Sequence, residues 1–257
     1  MTAETGGNGR SSSAGNAVEK ALRVLEAVST PGAPHRLAEI AATAGVPKPS
    51  AHRILGTFAD RGFVHSHGGG RYAPGPRLRA MAAQVAGDDD RGVEQVLTEL
   101  QRQVGHTVHL ALRAGDRAVY THKVEADQPF RTSSRIGMWL PLHSTAIGKC
   151  VLAHLGAGEV DDVLGGAGLA PRTPATITER DRLDTELSEV RQRGYAVDDE
   201  ENEASIRCVA APLLDASGRP VGGVSVSGVA FLVTREQIES FAPEVRHAAQ
   251  SLTTLLL

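Results

Sequence analysis

The tightest constraint on the fold of this 257-residue chain is a stretch near its start where two short helical periodicities meet at a glycine. Leu37, Ile40, Ala41 and Ala44 recur at helical spacing; Gly45 then supplies the positive-φ residue of a sharp turn, and Val46 points back inward. The next helix begins at residues 47–50, where a proline is tolerated in a first turn. Its apolar residues Ala51, Ile54, Leu55 and Phe58 fall on one face, and Gly62 ends it. The opposite face carries Lys48, Ser50, His52, Arg53 and Thr57.

An earlier helix is expected from an Asn16 cap, three residues before Glu19, through Val18, Ala21, Leu22, Leu25 and Val28 to a stop at Pro31 and Gly32. Downstream, residues 63–66 and 71–73 flank the turn formed by His67, Gly68, Gly69 and Gly70, which reads as a small hairpin. Three helices, the last two flanking a glycine turn, followed by a glycine-rich hairpin spell a winged helix-turn-helix. A helix of this kind fits the DNA major groove, where Arg53 is the expected base reader. Lys48, Ser50, His52 and Thr57 share that outer face, the first three suited to phosphate or mixed contacts; Arg71, on the wing, suits a minor groove or a phosphate clamp.

Charge follows the same division. Residues 1–79 hold ten Lys or Arg against five Asp or Glu, and residues 80–257 hold seventeen against twenty-five. A basic piece joined to an acidic remainder fits a nucleic-acid reader coupled to something that does not touch nucleic acid. The Gly- and Ser-rich residues 1–15 are expected to be a loose tail, because they bury too little apolar surface to offset ordering entropy.

The organisation expected is therefore a winged helix-turn-helix over residues 16–75, a linker helix and hinge over 76–92 with Asp88, Asp89 and Asp90 as the hinge, and a second domain over 93–257. That domain opens with a helix bearing Val93, Val96, Leu97, Leu100 and Val104. Strands follow near 108–112 and 117–124, then a helix from Ser144 or Thr145, and another from a Thr178 cap to Gly194. Two further strands near 207–214 and 221–229 join at a turn, Thr234 with Gln237 makes a capping box, and an amphipathic helix closes the chain. The fold class is α+β.

At this point four blocks resemble a known family. Residues 37–64 (LAEIAATAGVPKPSAHRILGTFADRGFV), 140–150 (LPLHSTAIGKC), 194–211 (GYAVDDEENEASIRCVAA) and 225–228 (SVSG) stand in the order found in the IclR (isocitrate lyase regulator) family of bacterial transcription factors. The resemblance covers nearly the whole chain from about residue 16. It implies a linker helix and a C-terminal effector-binding domain of GAF/PAS-like fold, a homodimer or homotetramer, a palindromic double-stranded DNA operator, and a small-molecule effector, often a small acid. Carried over by motif, the effector positions are Leu140, Ala146, Ile147, Asp198, Cys208, Ser225 and Ser227. Ile147 is bulkier than the residues common in that segment and is expected to narrow the pocket or to select another ligand; Trp139 receives no role.

The residues themselves agree with such a site. Ser225 and Ser227 lie two apart, so a strand turns both hydroxyls to one side and Val224 and Val226 to the other. A helix start near residue 145 offers N–H groups to a carboxylate. Asp198 would repel an acid unless protonated, so it is expected to meet a ligand hydroxyl or orient a neighbour, while the other acids of residues 198–201 are expected on a solvated loop.

Catalysis, a cofactor and a metal are not expected. The two cysteines, Cys150 and Cys208, have no zinc-type spacing, and the chain has no H-E-x-x-H, no P-loop and no G-x-G-x-x-G before a helix; Ser144 lacks a G-x-S-x-G setting, and His106 and His109, three apart on an expected strand, do not share a face. No run of about 18 apolar residues suggests a membrane span, and the N-terminus lacks a signal-peptide core, so a cytoplasmic protein is expected. Two alternatives stand beside the favoured reading. One is a redox-responsive regulator using Cys150 or Cys208, the latter beside Arg207; the other is a ligand-free regulator whose C-terminal domain only oligomerises.

Overall fold

The structure, a computed structural model, describes residues 17–85, 88–127 and 132–257. The expected tail and the Asn16 cap lie outside the described residues. The chain divides into two compact units, residues 1–87 and 88–257.

The first unit runs α1 (Ala17–Val28), β1 (His35–Arg36), α2 (Leu37–Ala44), α3 (Lys48–Asp60), β2 (Val64–Ser66), β3 (Arg71–Pro74) and α4 (Pro76–Val85). Its core gathers Val24 and Val28 from α1, Ile40 and Ala44 from α2, and Ala51 and Leu55 from α3. Gly45 has φ of 61° and gives its N–H to Ala42 O at 3.1 Å, while the Val46 N–H reaches Ala41 O at 3.0 Å. This closes α2 and swings the chain into α3. The expected hairpin is a three-stranded sheet ordered β1-β3-β2, because His35 and Arg36 pair with Tyr72 and Arg71. A two-residue strand is too short for period-2 patterning to reveal it.

The second unit is an antiparallel six-stranded sheet, ordered β6-β5-β4-β9-β8-β7, between two helical layers. Its elements are α5 (Asp88–Val104), β4 (Thr107–Ala114), β5 (Arg117–Val124), β6 (Trp139–Pro141), α6 (Ala146–Ala153), α7 (Ala157–Ala167), α8 (Arg180–Arg193), β7 (Ala196–Asp199), β8 (Ile206–Leu214), β9 (Pro220–Val229), α9 (Arg235–Ser240) and α10 (Ala242–Leu256). Alternation sorts the strand residues between the layers. Val108, Leu110, Val209, Val224 and Val226 pack with Leu97, Leu100, Val245 and Leu252 of α5 and α10. Ala111 and Ala210 face Ile147, Val151, Leu183 and Leu187 of α6 and α8.

Several expectations are corrected. Asp88, Asp89 and Asp90, expected as a hinge, are helical and open α5, directly after the division between the two units at 87/88. Thr178 does not cap α8; Glu179 holds the N-cap position and makes no side-chain cap bond. The short strands β6 and β7, and the helix α7, were not anticipated. The Thr234 and Gln237 capping box is formed, with Gln237 N donating to Thr234 Oγ1 at 3.2 Å and Thr234 N to Gln237 Oε1 at 2.8 Å.

Candidate functional sites: an exposed helix face and a polar-lined cavity

The α3 helix presents the expected faces. Ala51 and Leu55 are fully buried, whereas Lys48, His52, Arg53 and Thr57 are exposed and Ser50 is half-buried. The side chains of Lys48, His52 and Arg53 have no ion-pair or hydrogen-bond partner among the described residues. Thr57 is less free, since its Oγ1 donates to Arg53 O at 3.2 Å, one turn back. Arg71 is exposed on β3. A cationic helix face without internal partners is a surface suited to an external polyanion.

In the second unit, all seven residues picked for effector binding line one cavity: Leu140, Ala146, Ile147, Asp198, Cys208, Ser225 and Ser227. Its volume is about 40 Å³, room for a few water-sized spheres. Ser225 and Ser227 point into it from β9 because their neighbours Val224 and Val226 face the opposite core. On α6, Thr145 is the N-cap: its Oγ1 accepts from Gly148 N at 3.0 Å and donates to Pro141 O at 2.7 Å. The first-turn N–H groups of Ala146 and Ile147, at the cavity wall, have no acceptor within the helix. A Cβ on Gly148 would lie 2.3 Å from Leu142 O, so only glycine lets the helix start approach the 140–142 backbone. A larger open groove of about 780 Å³ runs between α5 and α10, but it contains none of the predicted residues.

The structure adds lining that the sequence did not suggest, chiefly His109, Tyr120, Thr132, Ser134, Asn202 and Glu203. His109 Nε2 lies 2.7 Å from Ser134 Oγ, which lies 2.7 Å from Thr132 Oγ1. On the other side, His109 Nδ1 is 3.3 Å from Ser227 Oγ, which accepts from Cys208 Sγ at 3.2 Å. The imidazole stacks on Tyr120 with centroids 4.5 Å apart. Burial, then the charge of Lys123, lowers its pKa to about 3, so His109 is neutral and acts as a hydrogen-bond relay. The signal for it was available: Val108 and Leu110 face the α5 core, so β4 alternation turns His109 toward the Ser225 and Ser227 side.

Asp198 is buried, and its Oδ1 accepts from Glu201 N at 2.8 Å and Asn202 N at 3.2 Å. Burial first, then the Glu201 charge, pushes its carboxyl up to about 7. The expectation of a solvated acidic loop after it is wrong for Glu201. Glu201 is 6% exposed, and its carboxylate meets the Lys149 ammonium at 2.6 Å; Lys149, 1% exposed on α6, also reaches Glu186 Oε1 at 3.2 Å. Arg193 completes the network at 2.8 Å from Glu186. A fully buried lysine needs such partners, and single-sequence patterning gave no hint of which acid it would find. Asp199 pairs with Arg207 at 2.6 Å. That arginine is thereby withdrawn from Cys208, whose thiol is pushed up by burial and by the Asp198 charge. Burial likewise raises Cys150 to about 12. Both shifts oppose thiolate formation, so the setting a redox cysteine needs is absent at these two residues.

Among the described residues, no group of three or more His, Cys, Asp or Glu could hold a metal ion, and no helix is long and apolar enough to cross a membrane.

Known proteins show both units together. The profile for the IclR helix-turn-helix domain matches residues 17–68, and that for the bacterial transcriptional regulator IclR C-terminal domain matches residues 91–254. The HTH-type transcriptional regulator XynR of Escherichia coli (strain K12) is 33% identical over 242 residues, spanning 93% of this chain and 96% of that protein. The crystal structure of the Thermotoga maritima IclR superposes with a TM-score of 0.72 at 37% identity, covering 94% of this chain and 98% of that one. An IclR homolog from Microbacterium hydrocarbonoxydans, complexed with 4-hydroxybenzoate, shares the fold with a TM-score of 0.78 at 21% identity, over 94% and 99% of the two chains.

Proposed function

Because the chain belongs to the IclR family of DNA-binding bacterial transcriptional regulators, which are not enzymes, we propose that it reads a palindromic operator through α3 and that a small organic acid in the cavity of the second unit controls that reading. The protein acts in the cytoplasm as a homodimer or homotetramer, its paired α3 helices meeting half-sites one or more helical turns apart. Arg53 reads a base edge; Lys48, Ser50, His52 and Thr57 support it, and Arg71 holds the backbone from the wing.

The observation that carries the effector reading is the convergence of Leu140, Ala146, Ile147, Asp198, Cys208, Ser225 and Ser227 on one cavity. That lining contains no Lys or Arg. A carboxylate would therefore be held by the first-turn N–H groups of α6 and the hydroxyls of Ser225 and Ser227. Asp198 would meet a hydroxyl or oxo group at the ligand's other end, and its raised pKa lets it do so protonated. Ile147 and Leu140 narrow that cavity, which favours a small acid.

The test uses the full-length protein and a duplex it selects from a random-sequence pool. A panel of short hydroxy and oxo acids is screened by thermal shift, since a ligand of the folded state raises Tm. Each acid that does so is then added to the DNA titration. A change in operator affinity supports the reading; equal affinity with and without every such acid overturns it, because a ligand without differential affinity shifts nothing. If no acid raises Tm, the small-acid reading is overturned.

A further inference from the structure

The strand β1 does more than extend the wing sheet. In its register with β3, His35 stands opposite Tyr72 and Arg36 opposite Arg71. His35 faces inward: its Nε2 lies 2.9 Å from Thr30 O and 3.1 Å from Thr30 Oγ1, and Tyr72 across from it is buried in the core of the unit. Alternation then sends Arg36 and Arg71 to the same outer face, and both are exposed. The pairing continues through Leu37 N, which donates to Gly70 O at 2.9 Å and ties the wing turn to the start of α2.

Two guanidinium groups directly across an antiparallel pair, with Cβ atoms about 5 Å apart, repel each other. Neither arginine has an ion-pair partner among the described residues, and the nearby Glu39 carboxylate is bound to the backbone N–H of Arg36 at 2.8 Å. Two exposed, five-donor cations at opposed register positions can share one bridging anion, and phosphate is an anion that arginine holds bidentately.

We infer that Arg36 and Arg71 form a two-arginine clamp on a DNA backbone phosphate, which makes Arg36 a DNA-binding residue beside those of α3 and the wing. The inference rests on the DNA-reading function proposed above. It assigns Arg36 no sequence preference: its contribution is charge and register.

The experiment titrates full-length protein against a random-sequence 30-bp duplex over a series of salt concentrations, for wild type, Arg36→Ala, Arg71→Ala, the double variant and Arg36→Lys, with Tm measured on each. A phosphate contact carries about one unit of the log affinity against log salt slope. The clamp requires Arg36→Ala to bind several-fold more weakly with a reduced slope, the double variant to lose about 1 in all because the two arginines share one phosphate, Arg36→Lys to keep the slope, and Tm in the absence of DNA to hold or rise as the repulsion is removed. An unchanged slope in Arg36→Ala overturns the clamp and leaves DNA reading by α3 standing. A lowered Tm in Arg36→Ala makes Arg36 a structural residue and also overturns it. A wild-type protein that binds no duplex overturns both readings at once.

Discussion

Lys48 and Lys149 carry the same side chain in opposite circumstances. The first stands exposed at the start of α3 with no ion-pair partner among the described residues; the second is 1% exposed on α6, locked to Glu201 and Glu186. The same contrast holds for their surroundings. The polar groups on the outer face of α3 wait for a partner outside the molecule, and most of those around the cavity already have partners within it. An exposed, unpaired cation contributes little to folding and is free to contribute to binding. A buried, paired one supports the fold, and its influence on a ligand is exerted through the groups it positions. The two sites should therefore answer substitution in opposite ways: function without stability on α3, stability together with function at the cavity.

The contrast is sharpened most by Gly148→Ala. Its new Cβ would meet the Leu142 backbone at 2.3 to 2.6 Å, which no rotamer change relieves, so the second unit should lose several kcal/mol and fail to fold at 37 °C. The only tryptophan, Trp139, lies in that unit and reports its unfolding by fluorescence. A wild-type midpoint would show that the α6 start can retreat. Next, Lys149→Met strands Glu201 and should destabilise by about 3 to 5 kcal/mol, whereas Lys48→Met should change stability by no more than about 0.5 kcal/mol. Similar losses from the two in urea titration would break the comparison outright.

A third effect depends on pH. Native Asp198 keeps its proton up to about 7, while the unfolded chain releases it near 3.8, so the native state binds more protons across that interval. Stability from this group falls as pH rises from about 4 to about 7 and is level above. Asp198→Asn keeps an acceptor for the Glu201 and Asn202 amides and removes the slope. At pH 8 it should be more stable than wild type by on the order of 2 to 4 kcal/mol, with the gap closing toward pH 4. Parallel profiles for the two proteins would mean Asp198 is ionised in the folded state throughout. The smallest effect expected is that of Cys208→Ser: under about 1 kcal/mol in stability, and DNA binding that remains indifferent to peroxide, because neither thiol is poised to ionise.

What the sequence made legible follows from period and length. The α3 faces were visible because four apolar residues at helical spacing leave little choice of orientation, and the turn before them needed Gly45. The side to which Ser225 and Ser227 point was visible from the valines between them. Hidden were the features made by partners distant in the chain. β1 has two residues and exists only through β3; Lys149 finds Glu201 fifty-two residues away; His109 finds Ser227 across two paired strands. The mistaken acidic loop has the same origin. Charge suggested solvent around residues 199–201, and only tertiary pairing with Lys149 and Arg207 makes burial of Glu201 and anchoring of Asp199 tolerable.

The most direct test of the account compares Arg53→Ala with wild type on the duplex that wild type selects and on a random duplex at the same salt, with Tm measured alongside. The account predicts a loss of about 1 to 3 kcal/mol on the selected duplex, roughly 5- to 150-fold, together with relaxed preference at one base pair, little change on random DNA and an unchanged Tm. Equal losses on both duplexes, or a loss of binding that tracks a fall in Tm, would contradict it.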